Sequence, residues 1–553
     1  MSLDALDPVI VAAREWSAQD PDAITKAQLD ETIAAAEAGN AVAEAQLRDW
    51  FSARLEFGTA GLRGELGPGP NRMNRVLVTQ AAAGLAAYLL HREPSPSVVI
   101  GYDARTNSEV FARDTAVIMA GAGVRTTLLP RHLPTPVLAF AVRHLAASAG
   151  VMVTASHNPA RDNGYKVYLG GLDHGSQIVP PADADIAQAI HQVAHTAITE
   201  LPRSTDFVLA EESVVTEYVR QTAAIGAVAA PLTIAYTPLH GVGWETASAV
   251  FEAAGFGVPE LVAEQAEPDP TFPTVAFPNP EEPGAMDLVM ALGAASRADI
   301  VVANDPDADR LAIAIPTSDG WRRLSGNEIG WLLGWRAAQR APEDGVLAAS
   351  IVSSPALREI AAAYHLAHVE TLTGFKWISR VPGLSFGYEE ALGYLVDPAK
   401  VLDKDGISAA VDFLSLVSEL KAAGTTIEQH LLAFAEKFGG FASGQISIRV
   451  ADLSDIGRMM AALRSAPPSH IGSLPVASID DFIDGFGPYP PGDILRIHLE
   501  NDARVIVRPS GTEPKLKVYL DASSSEGDGA ARVAAAEAVI AELDAGMRKL
   551  LSV

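Results

Sequence analysis

The chain has 553 residues, 48% of them apolar, no cysteine and a formal net charge of −27. Disulfides, thiolate metal sites and cysteine nucleophiles are therefore excluded, and the acidic balance argues against binding to nucleic acid or to an anionic membrane. The N-terminus lacks the features of a signal peptide, and the longest apolar run, residues 81–90, is too short to span a bilayer. We therefore expect a soluble cytoplasmic protein of three to four domains, at roughly 150 residues per domain.

Helices and short apolar strands alternate along most of the chain. The first fifty residues, rich in Ala, Glu and Gln, predict helix, and residues 76–90 predict another. Residues 97–103 predict a short buried strand that ends in a polar loop. The alternation continues to about residue 440 and indicates α/β layers with largely buried sheets.

The pattern changes after a Gly-rich segment at residues 438–444, which we interpret as a hinge. Beyond it, three segments predict neighbouring antiparallel strands, and an Ala-rich helix from about Gly529 ends the chain, so this part is α+β. The strand segments are residues 494–499, 504–507 and 516–520. Two further segments, residues 201–206 and 319–326, interrupt the pattern and are predicted domain boundaries. The predicted domains are three α/β domains, residues 1–205, 206–322 and 323–442, and an α+β domain, residues 443–553.

The segment Thr-Ala-Ser-His-Asn-Pro at residues 154–159 follows a predicted buried strand, residues 151–153. We expect the loop to continue through residues 163–166. Ser156 at a strand end, with Lys166 ten residues further on, is a candidate covalent phosphate carrier. The alternative is a common Ser-Asn-Pro turn.

Three carboxylates alternate in Asn-Asp-Pro-Asp-Ala-Asp-Arg at residues 304–310, between two apolar segments. Asp305, Asp307 and Asp309 can converge on one hard cation such as Mg²⁺. An EF-hand loop is excluded, because its Gly and Glu positions hold Arg310 and Pro316. A phosphatase with an aspartyl nucleophile would want Thr where Asp309 stands. The remaining alternative is a solvated acidic turn.

Arg-Pro-Ser-Gly-Thr-Glu-Pro-Lys at residues 508–515 joins two predicted strands. Arg508 offers a fork for phosphate, Ser510 and Thr512 add hydroxyls, and Gly511 lets backbone N–H groups approach an anion. An ordinary hairpin loop is the alternative.

Two segments close in sequence, residues 373–377 and 387–393, carry Lys376 and Glu389. A carboxylate accepts hydrogen bonds from sugar hydroxyls and a lysine pairs with phosphate, although two loops with a satisfied charge pair would look the same. Residues 57–64, which contain three Gly, predict a flexible loop that carries Arg63. No His pair has zinc-site spacing, so His157 and His240 are expected to make local hydrogen bonds.

In this order the segments resemble the α-D-phosphohexomutase superfamily, the phosphoglucomutases and phosphomannomutases, over nearly the whole chain. Residues 57–64, 237–243 and 373–377 resemble a branch that includes enzymes acting on pentose phosphates and enzymes that make glucose 1,6-bisphosphate. The resemblance implies three similar α/β domains with mixed sheets and a smaller C-terminal α+β domain, arranged around a central cleft.

The resemblance also implies a mechanism. Ser156 would carry a phosphoryl group and, with Asp305, Asp307 and Asp309, would hold Mg²⁺. Arg63 and Arg310 would neutralise the transferring group beside His157. Lys166 would be a general acid/base if burial and neighbouring cations lower its pKa. The implied substrate-binding residues are Lys376, Glu389, Ala391, Arg508, Ser510, Gly511 and Thr512.

The sugar is the open point, because many relatives carry Ser where this chain has Ala391. We expect a mutase acting on glucose 1-phosphate or mannose 1-phosphate, with a sugar 1,6-bisphosphate as activator. The alternatives are a phosphopentomutase or glucose 1,6-bisphosphate synthase of the same branch, a non-catalytic sugar-phosphate sensor, and a simple phosphatase. A monomer and a homodimer are both compatible with the sequence.

Overall fold

A computed structural model describes residues 7–58, 61–450, 452–510 and 515–551. Its contacts divide the chain into two compact units. The first unit combines Met1–Arg323 with Gly393–Ser418, and the second combines Leu324–Leu392 with Glu419–Val553. The four domain boundaries drawn from the sequence stay a prediction. Among the described residues, no helix combines the length and the apolar character that crossing a membrane would require.

The first unit begins with three short helices that form a small apolar core of their own. Asn40 caps the third helix by accepting hydrogen bonds from the N–H groups of Val42 and Ala43, and Trp16, Leu29 and Leu47 are buried between the helices. The helices are α1 (Asp7–Gln19), α2 (Ala23–Glu37) and α3 (Ala41–Phe51).

A mixed seven-stranded sheet follows, in the order β1-β5-β4-β2-β3-β7, with β6 paired to β5. Strands β2 and β4 are almost entirely buried and pair in parallel, which matches their uninterrupted apolar sequences. Its strands are β1 (Leu62–Glu65), β2 (Ser97–Tyr102), β3 (Arg125–Leu128), β4 (Ala149–Val153), β5 (Asp162–Leu169), β6 (Ser176–Gln177) and β7 (Val208–Leu209). Its helices are α4 (Arg75–Arg92), α5 (Ser108–Gly121), α6 (Thr135–His144), α7 (Ala182–Val193) and α8 (Ser213–Ala223).

Residues 163–166 belong to β5, so the prediction of a long loop there is wrong. Asn163 and Gly164 are typical turn residues, but β5 pairs antiparallel with β1 on one side and β4 on the other. Sheet pairing therefore overrides the local preference.

A second mixed sheet of the first unit has the order β12-β11-β10-β8-β9. Strands β8 and β10 are parallel, and β10, β11 and β12 are antiparallel. The strands are β8 (Ile234–Thr237), β9 (Glu260–Leu261), β10 (Ile300–Ala303), β11 (Ala312–Thr317) and β12 (Gly320–Arg323), with helices α9 (Gly243–Ala253) and α10 (Asp287–Ser296). The Gly393–Ser418 segment of this unit adds β16 (Gly393–Leu395) and most of α14 (Gly406–Ala422).

The second unit contains an α/β part in which β13 pairs in parallel with β14 and with β15. Its strands are β13 (Val346–Ser350), β14 (Ala367–Thr371) and β15 (Leu384–Glu389). Its helices are α11 (Gly326–Arg340), α12 (Ala356–Ala363), α13 (Phe375–Ile378) and α15 (Ile427–Phe438).

The C-terminal part of the second unit is a six-stranded antiparallel sheet in the order β17-β22-β21-β20-β19-β18. The α/β class with a C-terminal α+β part is thus confirmed. The strands are β17 (Gly440–Arg449), β18 (His470–Ile471), β19 (Leu474–Asp481), β20 (Leu495–Leu499), β21 (Arg504–Pro509) and β22 (Lys515–Ser524), with α16 (Leu453–Ser465) and α17 (Gly529–Leu550).

The hinge predicted at residues 438–444 is wrong, because most of it lies in β17. Gly440 and Gly444 pair with Ser524 and Leu520 of β22. A Cβ atom at Gly440 would lie 2.3 Å from the carbonyl carbon of Arg532 in α17. Glycine is required there for close packing of a helix on a strand, not for flexibility.

Candidate active site

Ser156 lies in the turn that follows β4, with a left-handed φ of 53° and almost no exposed surface. Its Oγ donates a hydrogen bond of 2.7 Å to Asp305 Oδ2 and lies 3.1 Å from His157 Nδ1. Its N–H donates to Thr154 Oγ1 at 2.9 Å. The strained turn thus directs the Ser156 hydroxyl towards the acidic segment.

The acidic segment, residues 304–310, connects β10 to β11 and is held at both ends. Tyr236 donates to Asn304 Oδ1 at 2.7 Å, and the Asn304 amide donates to the Arg310 carbonyl at 2.6 Å. Ala308 has a φ of 55°, and its N–H donates to the Asp305 carbonyl. This compact turn brings three alternating carboxylates to one side.

The side chains of Asp305, Asp307 and Asp309 are fully buried, and they offer ligand oxygens that lie within 4.8 Å of one another. In the part of the chain that the structure describes, Asp307 Oδ1 and Asp309 Oδ1 have no hydrogen-bond partner. Buried carboxylate oxygens left without a donor are costly. The donor set therefore fits a hard divalent cation, for which oxygen ligands are preferred.

The three carboxyl groups differ in their ionisation. Burial, and then repulsion by the carboxylates of Asp307 and Asp309, holds the pKa of Asp305 well above its ordinary value. Burial acts in the same direction at Asp307 and Asp309, but the Lys166 ammonium lowers the pKa of both, joined by the Thr135 hydroxyl at Asp307 and by Lys404 and Arg310 at Asp309. Ionisation is thus least favourable at Asp305, and a bound divalent cation would stabilise the ionised form of Asp305 more than that of the other two acids.

Lys166 projects from β5 to the acids, and its Nζ lies 2.8 Å from both Asp307 Oδ2 and Asp309 Oδ2. Burial disfavours its charge, but the two carboxylates prevail and raise its pKa above the ordinary value. The condition attached to its predicted acid/base role, a lowered pKa, is therefore wrong for this structure. Lys166 is a charged ammonium that can donate a proton.

The other predicted cations and His157 surround the same turn. Arg63 lies on β1, so the predicted flexible loop is wrong at this position. Its side chain donates to Asn158 Oδ1 at 3.3 Å. Arg310 Nε lies 4.0 Å from Asp305 Oδ2, and its Nη1 lies 3.6 Å from Glu281. Burial lowers the pKa of His157, and the positive charges of Arg310 and Arg63 act in the same direction. His157 is therefore neutral at pH 7.

Two contacts to the acids come from residues that the sequence motifs did not include. Lys404 Nζ lies 3.2 Å from Asp309 Oδ2. Thr135, at the start of α6, donates to Asp307 Oδ2 at 2.6 Å. A local signal existed only for Lys404, because Asp403-Lys404-Asp405 directly precedes α14. Its side chain reaches the acids only because Gly393–Ser418 folds with the first unit.

In the second unit, the predicted sugar-binding segments lie together. Glu389 Oε1 accepts a 2.6 Å hydrogen bond from the N–H of Gly374, two residues before Lys376. The Lys376 ammonium lies 5.8 Å from the Trp377 ring centre. Ala391 offers no hydroxyl. The neighbouring hydroxyls of Ser350 and Ser353, which sequence reasoning missed, instead bond to Glu390 at 3.2 and 3.1 Å.

The predicted phosphate-binding segment joins β21 to β22, as expected. Arg508 is half-buried on β21 opposite Lys517, and the N–H of Ser510 donates to the Lys515 carbonyl at 2.8 Å. Gly511 and Thr512 lie outside the described residues. The side chains of Arg508 and Lys517 thus place two positive charges beside the start of the predicted phosphate-binding segment.

Comparison with known proteins gives a consistent result. Four parts of the chain match the phosphoglucomutase/phosphomannomutase α/β/α domains I (residues 54–197), II (216–320) and III (325–438) and the C-terminal domain of that family (446–539). A protein of Haemophilus influenzae named probable phosphomannomutase is 55% identical over 482 residues, 87% of this chain and 98% of that protein. The human phosphopentomutase is 35% identical over 580 residues, 93% of this chain and 91% of that enzyme.

A solved structure agrees at the level of the fold. The crystal structure of a phosphoglucomutase/phosphomannomutase family protein from Burkholderia thailandensis has a TM-score of 0.68 at 18% identity, covering 90% of this chain and 97% of that one. The fold and the relatives define an isomerase of the phosphosugar mutase class. The chain belongs to the phosphoglucomutase/phosphomannomutase family of the α-D-phosphohexomutase superfamily.

Proposed function

We propose that this enzyme interconverts hexose 1-phosphate and hexose 6-phosphate through a phosphorylated Ser156 and a sugar 1,6-bisphosphate intermediate. We propose glucose phosphate as the preferred substrate and mannose phosphate as the next best. The observation that supports this most directly is the hydrogen bond from Ser156 Oγ to Asp305 in a buried triad of carboxylates. A serine hydroxyl at such a site suits phosphoryl transfer, which depends on positioning and neutralisation of charge.

In the first half-reaction, the bond between Ser156 Oγ and phosphorus breaks as a bond forms between phosphorus and a free sugar hydroxyl oxygen. The net proton movement runs from that hydroxyl to Ser156 Oγ, and Lys166 is the carrier that we propose. The bisphosphate then reorients, and the second half-reaction returns its other phosphoryl group to Ser156 with the proton flow reversed. Atoms and charge balance over the cycle.

Several surrounding groups would together neutralise the negative charge of the transferring phosphoryl group. Mg²⁺ held by Asp305, Asp307, Asp309 and the Ser156 phosphoryl group would neutralise the charge that develops on the phosphoryl oxygens. Arg63 and Arg310 add positive charge, and neutral His157 can hydrogen-bond at Ser156 Oγ. Each of these side chains contacts the Ser156 turn or the acidic segment in the first unit.

The resemblance to the family supports the proposed contacts to the part of the substrate that does not react. Glu389 would accept hydrogen bonds from sugar hydroxyls, and Lys376 would pair with a phosphate. Arg508 and Ser510, with Gly511 and Thr512, would hold the non-reacting phosphate through charge-assisted hydrogen bonds.

The decisive experiment compares Ser156→Ala with the wild-type enzyme and with Ser204→Ala, a control in a surface segment. Phosphorus NMR of glucose 1-phosphate with Mg²⁺ and glucose 1,6-bisphosphate should show glucose 6-phosphate with the wild type and the control, and none with Ser156→Ala. Intact mass should show a phosphoryl group on the wild type and on Ser204→Ala, and none on Ser156→Ala. Near-wild-type turnover by Ser156→Ala would refute the phosphoserine scheme, and steady release of inorganic phosphate would indicate a phosphatase.

A pentose phosphate is the second candidate substrate. Two observations favour it: Ala391 removes the hydroxyl that would contact a hexose, and the human relative at 35% identity is named a phosphopentomutase. Rates on glucose, mannose and ribose 1-phosphates, at one fixed concentration of bisphosphate activator, separate the candidates. A higher kcat/KM for ribose 1-phosphate would replace the hexose proposal by the pentose one. Accumulation of bisphosphate would indicate a synthase.

A further inference from the structure

We infer that Arg105 is a positioning residue that fixes the turn carrying Ser156. This inference rests on the proposed phosphoserine function. Arg105 follows β2, which pairs in parallel with β4, the strand that ends at the Ser156 turn. Its side chain is 1% exposed, in the core of the first unit.

The guanidinium of Arg105 bonds to four backbone carbonyls of the Ser156 turn and the start of β5. Nη2 donates to the carbonyls of Ser156 at 2.6 Å and Asn158 at 2.5 Å. Nη1 donates to those of Pro159 at 2.8 Å and Asp162 at 3.1 Å. A single planar cation thus determines where the carbonyls of this turn point.

Arg105 is itself held from two sides. Asp103 Oδ2 lies 3.4 Å from its Nε, and Asp103 Oδ1 accepts from the Arg105 N–H at 3.0 Å and from Ser108 Oγ at 2.6 Å. The Phe272 ring centre lies 4.9 Å from the guanidinium carbon. The cation is therefore placed before any substrate binds, which is what positioning requires.

The consequence concerns the direction of the partial charges around Ser156. Carbonyl oxygens that point at a phosphoryl group would repel it, and Arg105 turns four of them towards itself. The Ser156 hydroxyl is left facing Asp305, and its backbone is held at a φ of 53°. A lysine at position 105 keeps the charge but cannot bond to four separated acceptors.

The test compares Arg105→Lys and Phe272→Leu with the wild type and with Arg75→Lys. Arg75 is a matched control, because it forms two bonds of 2.7 and 2.8 Å to Asp114 and none to the Ser156 turn. We expect Arg105→Lys to lower kcat about 100-fold, the scale for a small misplacement of reacting groups. The KM for the sugar phosphate should stay within a few-fold. Phe272→Leu should lower kcat less, in the same direction, and Arg75→Lys should leave kcat unchanged.

A second readout separates positioning from general destabilisation. In the folded proteins, the phosphorus NMR signal of phosphoserine should shift in Arg105→Lys and not in Arg75→Lys, even where both have the same thermal midpoint. Wild-type kcat and an unshifted signal in Arg105→Lys would overturn the inference, as would equal loss of kcat in Arg75→Lys. If the wild type itself shows no phosphoserine signal, the proposed function fails and the role of Arg105 fails with it.

Discussion

Ser156 Oγ and Asp305 Oδ2 are 2.7 Å apart although 149 positions separate them in sequence. The bond joins the end of β4, in the first sheet, to the end of β10, in the second sheet of the same unit. The predicted phosphate carrier and the predicted metal ligand are thus in direct contact. Asp305 also has the raised pKa of the acidic triad, so its charge should respond most to a cation.

We predict that Asp305→Asn stabilises the cation-free enzyme. The pKa of Asp305 is higher in the folded state than in the unfolded state. Its favourable contribution to the free energy of unfolding is therefore fully present at a pH below the unfolded-state pKa, and it is lost as the pH rises through the folded-state pKa. Removing this charge should raise the free energy of unfolding by on the order of 1 kcal/mol at pH 8 with chelator, and by less at pH 5. Chemical denaturation at both pH values measures the difference.

The matched control is Asp319→Asn, an exposed aspartate of the same unit, which should change neither curve. Millimolar Mg²⁺ should stabilise the wild type and not Asp305→Asn. A cation-free Asp305→Asn protein that is less stable than the wild type at pH 8 would contradict the charge argument.

We predict that Lys404→Met tightens Mg²⁺ binding while it lowers turnover. Lys404 places an ammonium 3.2 Å from Asp309 Oδ2, next to the oxygens that would bind the cation. Removing a positive charge about 6 Å from a divalent cation should lower the Kd about tenfold, even when the repulsion is screened by the dielectric constant of bulk water, near 80. Calorimetry with Mg²⁺ measures this. Lys421→Met, a lysine in the last turn of α14, should bind Mg²⁺ like the wild type, and weaker binding by Lys404→Met would refute the prediction.

We predict that Gly241→Ala disrupts the acidic segment. A Cβ atom at position 241 would lie 2.2 Å from Pro306 Cα and 2.3 Å from its carbonyl oxygen, so the backbone between Asp305 and Asp307 would have to move. Overpacking of this kind costs roughly 1–3 kcal/mol, and Mg²⁺ affinity should fall with it. Gly457→Ala is the control, since that helical glycine has open space around it, and it should be neutral or slightly stabilising. Unchanged Mg²⁺ affinity in Gly241→Ala would show that the segment tolerates the shift.

We predict that Arg504→Met destabilises the second unit in a pH-dependent way. Arg504 is buried, bonds to Asp521 at 2.9 Å and Glu370 at 3.0 Å, and donates to the Ser353 carbonyl. Its loss leaves the buried Asp521 without its cationic partner and with only the Ser443 hydroxyl bond of 2.7 Å among its described side-chain contacts, which costs about 3–5 kcal/mol. Burial already raises the pKa of Asp521, and Arg504 opposes that shift.

Without Arg504 the pKa of Asp521 rises further, so the variant loses more stability as pH rises. The destabilisation should therefore be smaller at pH 5 than at pH 8 in chemical denaturation. Arg458→Met, which removes an exposed ion pair to Asp455, should leave both midpoints unchanged. If Arg504→Met lowers the free energy of unfolding by the same amount at both pH values, the destabilisation comes from lost packing and not from the unpaired charge.

Local sequence signals locate the proposed site residues that stand in clusters along the chain. Ser156 and the three acids stand in short polar segments between apolar strands, and the structure brings the four side chains together. The antiparallel C-terminal strands and α17 were also predicted, because their alternation and their Ala-rich composition are local properties.

Residues whose role depends on distant pairing were missed or misread. Arg105 and Thr135 stand alone in sequence, and parallel pairing and helix placement bring them to the site. The sequence predicts a loop at Lys166 because Asn163-Gly164 favours a turn, and the direction of the Lys166 pKa shift depends on carboxylates that are 141 and 143 residues away. Such contacts follow from tertiary structure, which a single sequence does not specify locally.

The return of Gly393–Ser418 to the first unit has a consequence for synthesis on the ribosome. Chains fold from the N-terminus as they emerge, but Asp309 receives its second ammonium, Lys404, only after residues 324–392 of the other unit have been made. Asp403, which accepts 2.7 Å bonds from Tyr168 and Gln177 of the first sheet, arrives equally late. A nascent chain halted at Arg323 would therefore hold all three acids and Ser156 but an unfinished charge balance, so we expect the site to mature after most of the enzyme has been translated.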